Sequence, residues 1–325
     1  MLEHGGGIRQ AAARFGLPPA QWLDLSTGIN PLGWTPLAIP SWCWSRLPEE
    51  ADGLEAAAHA YYQSTLLLPV AGSQAAIQLL PRLRPPGRVA VLTPTYSEHA
   101  QAWEMNGHQV VGMTPAALEI AVESFEVVVV VNPNNPTGTL LKSEKLLSWY
   151  NRLQQRGGWL VVDEAFMDAT PAHTLVPHLG LPGLIVLRSI GKFFGLAGAR
   201  LGFVLAEWAL LQQLRQLLGP WSLAGPSRWL ASHALTDVAW QTAARHALPL
   251  ASDRLASLLS RHDLAPAGGT ALFQWVVTAK AGEWWLFLAE QGILVRHFPA
   301  WGALRFGLPG EEKAWQRLEQ ALKDR

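Results

Sequence analysis

The sequence predicts an α/β fold with a mostly parallel central sheet that is covered by helices. Continuously apolar runs indicate strands that are buried on both faces, since a half-exposed strand would alternate between apolar and polar residues. Such runs lie at 88–92, 127–131, 159–162, 184–187 and 201–205. Helical patterns lie between them at 73–83, 97–106 and 143–155.

The rest of the chain predicts a second, smaller α+β domain. Residues 207–260 are mostly helical in pattern, short strands follow at 271–277, 293–296 and 303–306, and 310–323 is a helix. A length of 325 residues is compatible with two domains. We therefore expect a large domain at 45–210 and a small domain formed by 1–44, as an N-terminal arm, together with 211–325.

The composition argues against several classes of protein. The 25 Lys and Arg balance 25 Asp and Glu, so no net charge attracts nucleic acid or an anionic membrane. No apolar run approaches the about 20 residues of a membrane span, and the start of the chain has no signal-peptide pattern. Cys43 is the single cysteine, and no His-Glu-x-x-His spacing predicts a metal site. We expect a cytoplasmic protein without a nucleic-acid or membrane partner.

Polar residues stand beside several predicted strands, in the loops where an open α/β sheet collects its functional groups. Each segment taken singly has an ordinary explanation as a turn, a helix cap or a solvated surface group. Their order and spacing together indicate one catalytic site. The segments are Ala71–Gln74, Thr93–Tyr96, Asn132–Gly138, Asp163–Phe166 and Arg188–Arg200.

This set of segments resembles the fold-type-I enzymes that use pyridoxal 5′-phosphate, in the aminotransferase class that includes histidinol-phosphate aminotransferase. The strongest motif is Ser189-x-x-Lys192 followed by Gly198-x-Arg200-x-Gly202. Asn-Asn-Pro-Thr-Gly and Asp-Glu-Ala complete it. The resemblance covers nearly the whole chain and implies the fold-type-I transferase fold, a large domain plus a smaller one, and a homodimer.

The resemblance also implies a role for individual residues. Lys192 forms the Schiff base with the cofactor, and Asp163 keeps the pyridine nitrogen protonated, so that the ring accepts electrons. Asn135 donates to the phenolic oxygen of the cofactor, and Tyr96 stacks on its ring. The cofactor phosphate is held by Gly72, Ser73, Gln74, Ser189 and Arg200.

Two positions depart from the pattern of the resembling enzymes. Phe166 stands where many relatives have a tyrosine whose hydroxyl contacts the phenolic oxygen. Leu47, in Arg46-Leu-Pro48, stands where relatives often have a tyrosine that reaches the phosphate in the neighbouring subunit. Neither side chain can make the expected hydrogen bond.

The amino-terminal segment indicates which reaction the enzyme catalyses. His4-Gly-Gly-Gly7 and the segment Asp24–Pro31 resemble the threonine-phosphate decarboxylases of cobalamin biosynthesis. That resemblance implies conversion of L-threonine O-3-phosphate to (R)-1-amino-2-propanol O-2-phosphate and CO2. Arg305 matches the arginine that holds a carboxylate in aminotransferases, and Arg296 is a candidate for the substrate phosphate, although which arginine takes which group stays open. The full predicted substrate set is His4, Gly5, Gly6, Asn30, Arg296 and Arg305.

Two other functions remain to be weighed. A histidinol-phosphate-type aminotransferase would use the same Lys192 and Asp163, so these two residues do not decide between the enzymes. The amino-terminal segment favours the decarboxylase, and the segments Pro94–Glu98 and Asp163–Met167 also resemble that family more closely. A cofactor-binding sensor domain of a regulator would need no catalytic lysine and is normally joined to a DNA-binding domain, which this sequence does not contain. An assay with and without 2-oxoglutarate distinguishes the two enzymes.

Overall fold

The computed structural model describes residues 4–36 and 38–325, and these form two compact units. Unit 1 contains the described residues up to Gly33, the short segment Pro136–Thr139 and Ala243–Arg325. Unit 2 contains the described residues of Trp34–Asn135 and Leu140–Thr242.

The described residues contain twelve strands and twelve α-helices. The strands are β1 (Leu23–Leu25), β2 (Leu67–Val70), β3 (Arg88–Leu92), β4 (Gln109–Met113), β5 (Val127–Val131), β6 (Trp159–Asp163), β7 (Leu184–Ser189), β8 (Gly202–Leu205), β9 (Gly268–Thr270), β10 (Phe273–Val277), β11 (Ile293–Phe298) and β12 (Ala303–Gly307). The helices are α1 (Ile8–Phe15), α2 (Trp42–Ser45), α3 (Leu54–Tyr62), α4 (Ser73–Leu79), α5 (Glu98–Met105), α6 (Pro115–Ala121), α7 (Ser143–Gln154), α8 (Trp208–Leu218), α9 (Gly225–Thr236), α10 (Val238–Ser260), α11 (Ala281–Glu290) and α12 (Glu312–Lys323). None of the helices described is long and apolar enough to cross a membrane.

Unit 2 is built on a seven-stranded sheet in the order β2-β8-β7-β6-β5-β3-β4. The neighbours from β7 to β4 pair in parallel, and only β8 runs antiparallel to both of its neighbours. All five valines of β5 are buried, as a strand covered by helices on both faces requires. The prediction of an α/β fold with a mostly parallel sheet is confirmed.

The register of the sheet brings the ends of neighbouring strands together. Val131 at the end of β5 pairs with Asp163, and Asp163 pairs with Leu187 in β7. Ser189, the last residue of β7, pairs with Gly202, where the antiparallel β8 begins. The segments predicted to carry chemistry therefore lie at the carboxyl ends of the parallel strands.

Unit 1 contains a five-stranded sheet in the order β1-β11-β12-β10-β9. Only β1 and β11 pair in parallel, and the other neighbours are antiparallel. A small apolar cluster joins α1 to this sheet through Ala11, Trp22 and Leu294. Gly138 lies against the backbone of Gly269 with a φ of +76°, so the segment Pro136–Thr139 packs with this unit.

The compact units differ from the predicted domain bounds of 45–210, 1–44 and 211–325. The Trp34 amide donates to the Phe194 carbonyl (2.8 Å), and its indole donates to Asp237 Oδ2 (3.0 Å). Arg228 of α9 binds Asp52 (2.6 Å) just before α3, against which α9 packs. These contacts place 34–44 and 211–242 with unit 2.

Some strands lack the sequence pattern that would predict them. The edge strand β2 includes Pro69, which lowers the propensity for a strand, although an edge tolerates a proline. The opposite edge strand, β4, is only half-buried and contains Gly112. The run of β2 is therefore interrupted by a proline, and that of β4 is interrupted by a glycine, unlike the runs of the central strands.

Candidate functional site

The centre of the candidate site is the carboxylate of Asp163, which lies at the end of β6 and is only 3% exposed. Its Oδ2 is 2.9 Å from Nε2 of His99, and its Oδ1 accepts a hydrogen bond from the Ala165 amide (3.0 Å). Burying a carboxylate is costly unless its charge is matched by such donors. These two contacts hold the Asp163 carboxylate in a fixed position at the end of β6.

His99 is a site residue that the sequence analysis missed. It is the second residue of α5 and is only 1% exposed, and its ring nitrogen lies within hydrogen-bonding distance of Asp163. The available signal was its spacing, because residues three apart on a helical turn share a face and Tyr96 precedes it by three. The rings of Tyr96 and His99 pack edge to face with centroids 6.2 Å apart.

Tyr96 is held in place from a second side. Its hydroxyl donates to Gln74 Oε1 (3.3 Å), and Gln74 Nε2 donates to Glu98 (2.7 Å). Burial, followed by the charges of Glu98 and Asp163, raises the pKa of Tyr96 to about 12, so the phenol stays neutral at physiological pH. The Gln74 side chain thus positions Tyr96, which is a contact that the sequence analysis did not predict.

Beside these residues, where α4 begins, a cradle is formed by the backbone of Gly72, Ser73 and Gly202. Gly72 has a φ of +72°, and a Cβ atom there would lie 2.8 Å from a guanidinium nitrogen of Arg200. A Cβ on Gly202 would lie 2.7 Å from the Ser73 amide nitrogen. Both glycines are therefore required for the close approach of an arginine and a backbone amide. An arginine and a helix-opening amide are groups that bind phosphate.

The predicted cofactor set is completed by Ser189 at the end of β7 and by Lys192 in the loop that follows. The Lys192 ammonium is 5.7 Å from the centre of the Phe166 ring, and Phe166 is buried. The Ser189 hydroxyl accepts from the Gly191 amide (3.2 Å). Asn135 is half-buried after β5, next to Asn134, which bonds to the Pro94 carbonyl (2.9 Å) and fixes that loop.

A buried ion network lies next to Asp163 and Ser189 in the chain. Arg188 binds Glu164 (2.7 Å) and also Asp168, and all three side chains are buried. The Tyr61 hydroxyl donates to Asp168 (2.9 Å), and the Leu175 amide donates to Glu164 (2.8 Å). The network therefore joins the ends of β6 and β7 to α3.

The charges in this network depend on one another. Burial raises the pKa of Glu164, while Arg188 acts in the opposite direction. Burial also disfavours the charged form of Arg188, but Asp168 and Glu164 outweigh it and hold the pKa of the guanidinium well above its ordinary value. Arg188 stays charged, and it is the countercharge for both Glu164 and Asp168.

The predicted substrate residues belong to unit 1. Arg305 is buried in β12 and donates to the Ser26 carbonyl (2.6 Å), while the Ser26 hydroxyl accepts from the Gly6 amide (2.7 Å). Gly5 lies directly against the Ser26 backbone, which leaves no room for a side chain. The His4-Gly-Gly-Gly segment is thus anchored beside Arg305 rather than being a loose terminus.

Arg296 and Arg305 are register partners on β11 and β12. Burial, together with the charge of Arg296, lowers the pKa of Arg305 to about 10, so its guanidinium keeps its proton at neutral pH. Asn30 is buried, and its side chain accepts from the Leu32 amide (3.0 Å). His4 lines a cavity together with Arg296. Unit 1 thus gathers cationic groups suited to an anionic ligand.

Within the described residues, no group of three or more His, Cys, Asp or Glu side chains is placed to hold a metal ion. The predicted cofactor residues lie at the carboxyl ends of the parallel strands in unit 2. The predicted substrate residues lie within unit 1. Their roles in binding remain predictions at this point.

Comparison with known proteins shows relatives over nearly the whole chain. A threonine-phosphate decarboxylase of Pseudomonas aeruginosa is 55% identical over 322 residues, which cover 99% of this chain and 97% of the relative. A threonine-phosphate decarboxylase of a Sinorhizobium species is 43% identical over 330 residues, with 99% and 97% covered. The family described as aminotransferase class I and II matches residues 51–322.

A solved structure gives the same fold. The histidinol-phosphate aminotransferase from Sinorhizobium meliloti, in complex with pyridoxal-5'-phosphate, matches with a TM-score of 0.84 at 20% identity. The match covers 98% of this chain and 94% of that chain. At this identity the likeness concerns the fold alone, and it confirms the predicted fold class.

Replacing Arg188 tests the buried network. We expect Arg188→Met to lower the free energy of unfolding by about 3–5 kcal/mol, because Glu164 and Asp168 would be left buried without a countercharge. Since unpaired buried carboxylates have raised pKa values, the loss should shrink as the pH falls and they become protonated. Urea unfolding monitored by circular dichroism measures both effects.

The matched control is Arg215→Ala, which removes an ion pair with Glu50 (2.9 Å) that is partly exposed. This variant should lose about 1 kcal/mol or less. Equal losses in the two variants would contradict the role given to the buried network.

Proposed function

Because the chain belongs to the class I and II aminotransferase family, with threonine-phosphate decarboxylases as near-full-length relatives, we propose that it is itself a threonine-phosphate decarboxylase. The observation that carries this proposal is 55% identity over 99% of the chain. The reaction converts L-threonine O-3-phosphate to (R)-1-amino-2-propanol O-2-phosphate and CO2. We place it in cobalamin biosynthesis in the cytoplasm.

The cofactor is pyridoxal 5′-phosphate, and the residues of unit 2 fit it. The cradle at Gly72 and Gly202, with Arg200 over it, suits a phosphate group. The buried Asp163 carboxylate, with His99 behind it, suits a protonated pyridine nitrogen. When bound, the cofactor would accept electron density from the Cα–carboxylate bond as CO2 leaves.

Each remaining predicted residue has a physical task in this scheme. Lys192 would hold the cofactor through its amine, and the same amine would return a proton to Cα of the substrate. Tyr96 is neutral and held by Gln74, so it offers a fixed aromatic face. Asn135 offers an amide to the phenolic oxygen, and Ser189 offers a hydroxyl to the phosphate.

The absence of a hydroxyl at Phe166 has a direct consequence for Lys192. The Lys192 ammonium lies 5.7 Å from the centre of the apolar Phe166 ring. Many relatives have a tyrosine at this position, and its hydroxyl contacts the phenolic oxygen of the cofactor. We propose that Asn135 alone contacts the phenolic oxygen from this part of the site. The Phe166 ring then excludes water from the neighbourhood of the amine.

The substrate set in unit 1 supports decarboxylation. Threonine phosphate carries a carboxylate and a phosphate, and unit 1 offers Arg305, Arg296 and His4 for two anionic groups. Holding both ends restricts rotation about the bonds at Cα, so that the carboxylate rather than the Cα hydrogen is the group that leaves. Positioning of this kind can supply about 7–11 kcal/mol of a barrier in favourable intramolecular cases.

A turnover assay tests the choice of reaction. We expect CO2 release from threonine phosphate without any oxo acid, because decarboxylation needs no amino acceptor. Unphosphorylated threonine should react poorly, since it lacks the group that His4 and Arg296 are proposed to hold. Trapped CO2 and the amine product are measured with and without 2-oxoglutarate. A requirement for 2-oxoglutarate with formation of glutamate would favour the aminotransferase instead.

We also propose that the protein is a homodimer, in keeping with the exposed apolar side chains around α2. Trp44 is 69% exposed and Leu47 is 65% exposed, and Trp42 beside them is also exposed. Large apolar side chains grouped on a surface are typical of an interface. A second copy of the chain would cover them.

Sedimentation tests the dimer. The wild-type protein should sediment at twice the chain mass of 35.5 kDa. Introducing two charges with Trp44→Glu and Leu47→Glu should shift it to the monomer, because an interface core cannot bury unpaired carboxylates. The control is Trp208→Glu, at an exposed tryptophan on α8. A wild-type monomer, or a double variant that stays dimeric, would contradict the proposal.

A further inference from the structure

A cavity of about 450 Å³ lies within unit 1. It opens where the sheet loses a strand, because β1 pairs with β11 only over Ile293–Val295 while β11 continues to Phe298. The chain turns away at Ser26, which lines the cavity. Helix α1 and helix α11 provide further walls.

Among the described lining residues of this cavity, the charged side chains are Arg14 and Arg296, and both are positive. His4 and His297 also line it, and none of the described lining residues is acidic. Arg305, the register partner of Arg296, adds a buried positive charge on the adjacent strand. Walls that carry one sign of charge concentrate the potential and attract ions of the opposite sign.

Arg14 has a defined place at this cavity. Its guanidinium carbon is 4.8 Å from the centre of the Trp285 indole and 5.3 Å from the Phe15 ring. Trp285 also stacks on His297, with centroids 5.8 Å apart and planes 21° apart. A guanidinium held against an aromatic face keeps its N–H groups at the edge, where they can bind an oxyanion in a bidentate manner.

The volume exceeds what one phosphate group requires. Pockets of about 300–1,000 Å³ hold whole small molecules. The proposed function uses His4 and Arg296 for the substrate phosphate and assigns no role to Arg14, Trp285 or His297.

We propose that Arg14, with Trp285 and His297, forms a second oxyanion subsite in this cavity that takes a phosphate-sized dianion. The proposal rests on the proposed function only for the assignment of His4 and Arg296 to the substrate. The dianion is either free inorganic phosphate or the phosphate group of a phosphorylated amine, since both present the same tetrahedral oxygens.

Calorimetric titration of the cofactor-loaded protein tests the subsite. At constant ionic strength maintained with chloride, inorganic phosphate should bind the wild-type chain at two sites. Arg14→Gln should retain one site and weaken the other about tenfold or more, because a charge-assisted bidentate contact is lost. Arg296→Gln should weaken the site that Arg14→Gln leaves unchanged. Thermal melting confirms that each variant is folded.

The matched control is Arg9→Gln, which removes an exposed arginine from the same helix but from outside the cavity lining. It should retain both sites. One site in the wild type, or two unchanged sites in Arg14→Gln, would overturn the proposal. Two phosphate sites in a protein inactive on threonine phosphate would overturn the proposed function and leave the subsite standing.

A second titration identifies the source of the anion. O-phosphoethanolamine carries a phosphate and an amine but no carboxylate, so the protein cannot decarboxylate it. Two sites for this probe, one of them dependent on Arg14, would support a phosphorylated amine as the occupant. One site independent of Arg14, alongside two sites for inorganic phosphate, would support free phosphate.

Discussion

The buried charge of Asp163 is the constraint from which the architecture of the site follows. A carboxylate at 3% exposure needs donors, and it has two in His99 and the Ala165 amide. His99 reaches it only because α5 starts directly after the loop that carries Tyr96. The strand, the loop and the helix are therefore fixed relative to one another by the contact between His99 and Asp163. The same contact places the Tyr96 ring and the Asp163 carboxylate close together.

The buried guanidinium of Arg188 links the neighbouring strands β6 and β7. Arg188 stands between Leu187 and Ser189 in the chain, and its carboxylate partners follow Asp163. A guanidinium suits this task because it stays charged when buried and binds two carboxylates at once. The ends of β6 and β7 are thus joined by side chains as well as by the sheet. This link restricts the movement of Asp163 and Ser189, which are proposed to hold the ring nitrogen and the phosphate.

The sequence predicted the central strands and the residues that directly follow them, because continuous apolar runs and fixed spacing are local signals. Lys192, Asp163 and Ser189 belong to this class. His99 was missed because its partner is 64 residues away, and the only local signal was its spacing of three residues from Tyr96. Gln74 was assigned to the phosphate, whereas its side chain contacts Tyr96 and Glu98. The bounds of the units depend on long-range contacts such as Trp34 with Asp237, which composition does not reveal.

The central claim is that the charge of Asp163 serves the chemistry and not only the fold. Its most direct test is the decarboxylation rate of Asp163→Asn, whose side chain has nearly the same shape but no charge. Loading is checked by borohydride reduction, which should fix the cofactor to Lys192 in both proteins. The account predicts a folded, cofactor-loaded variant that has lost most of its CO2 release. Wild-type turnover in that variant, or a reduced adduct on another lysine, would contradict it.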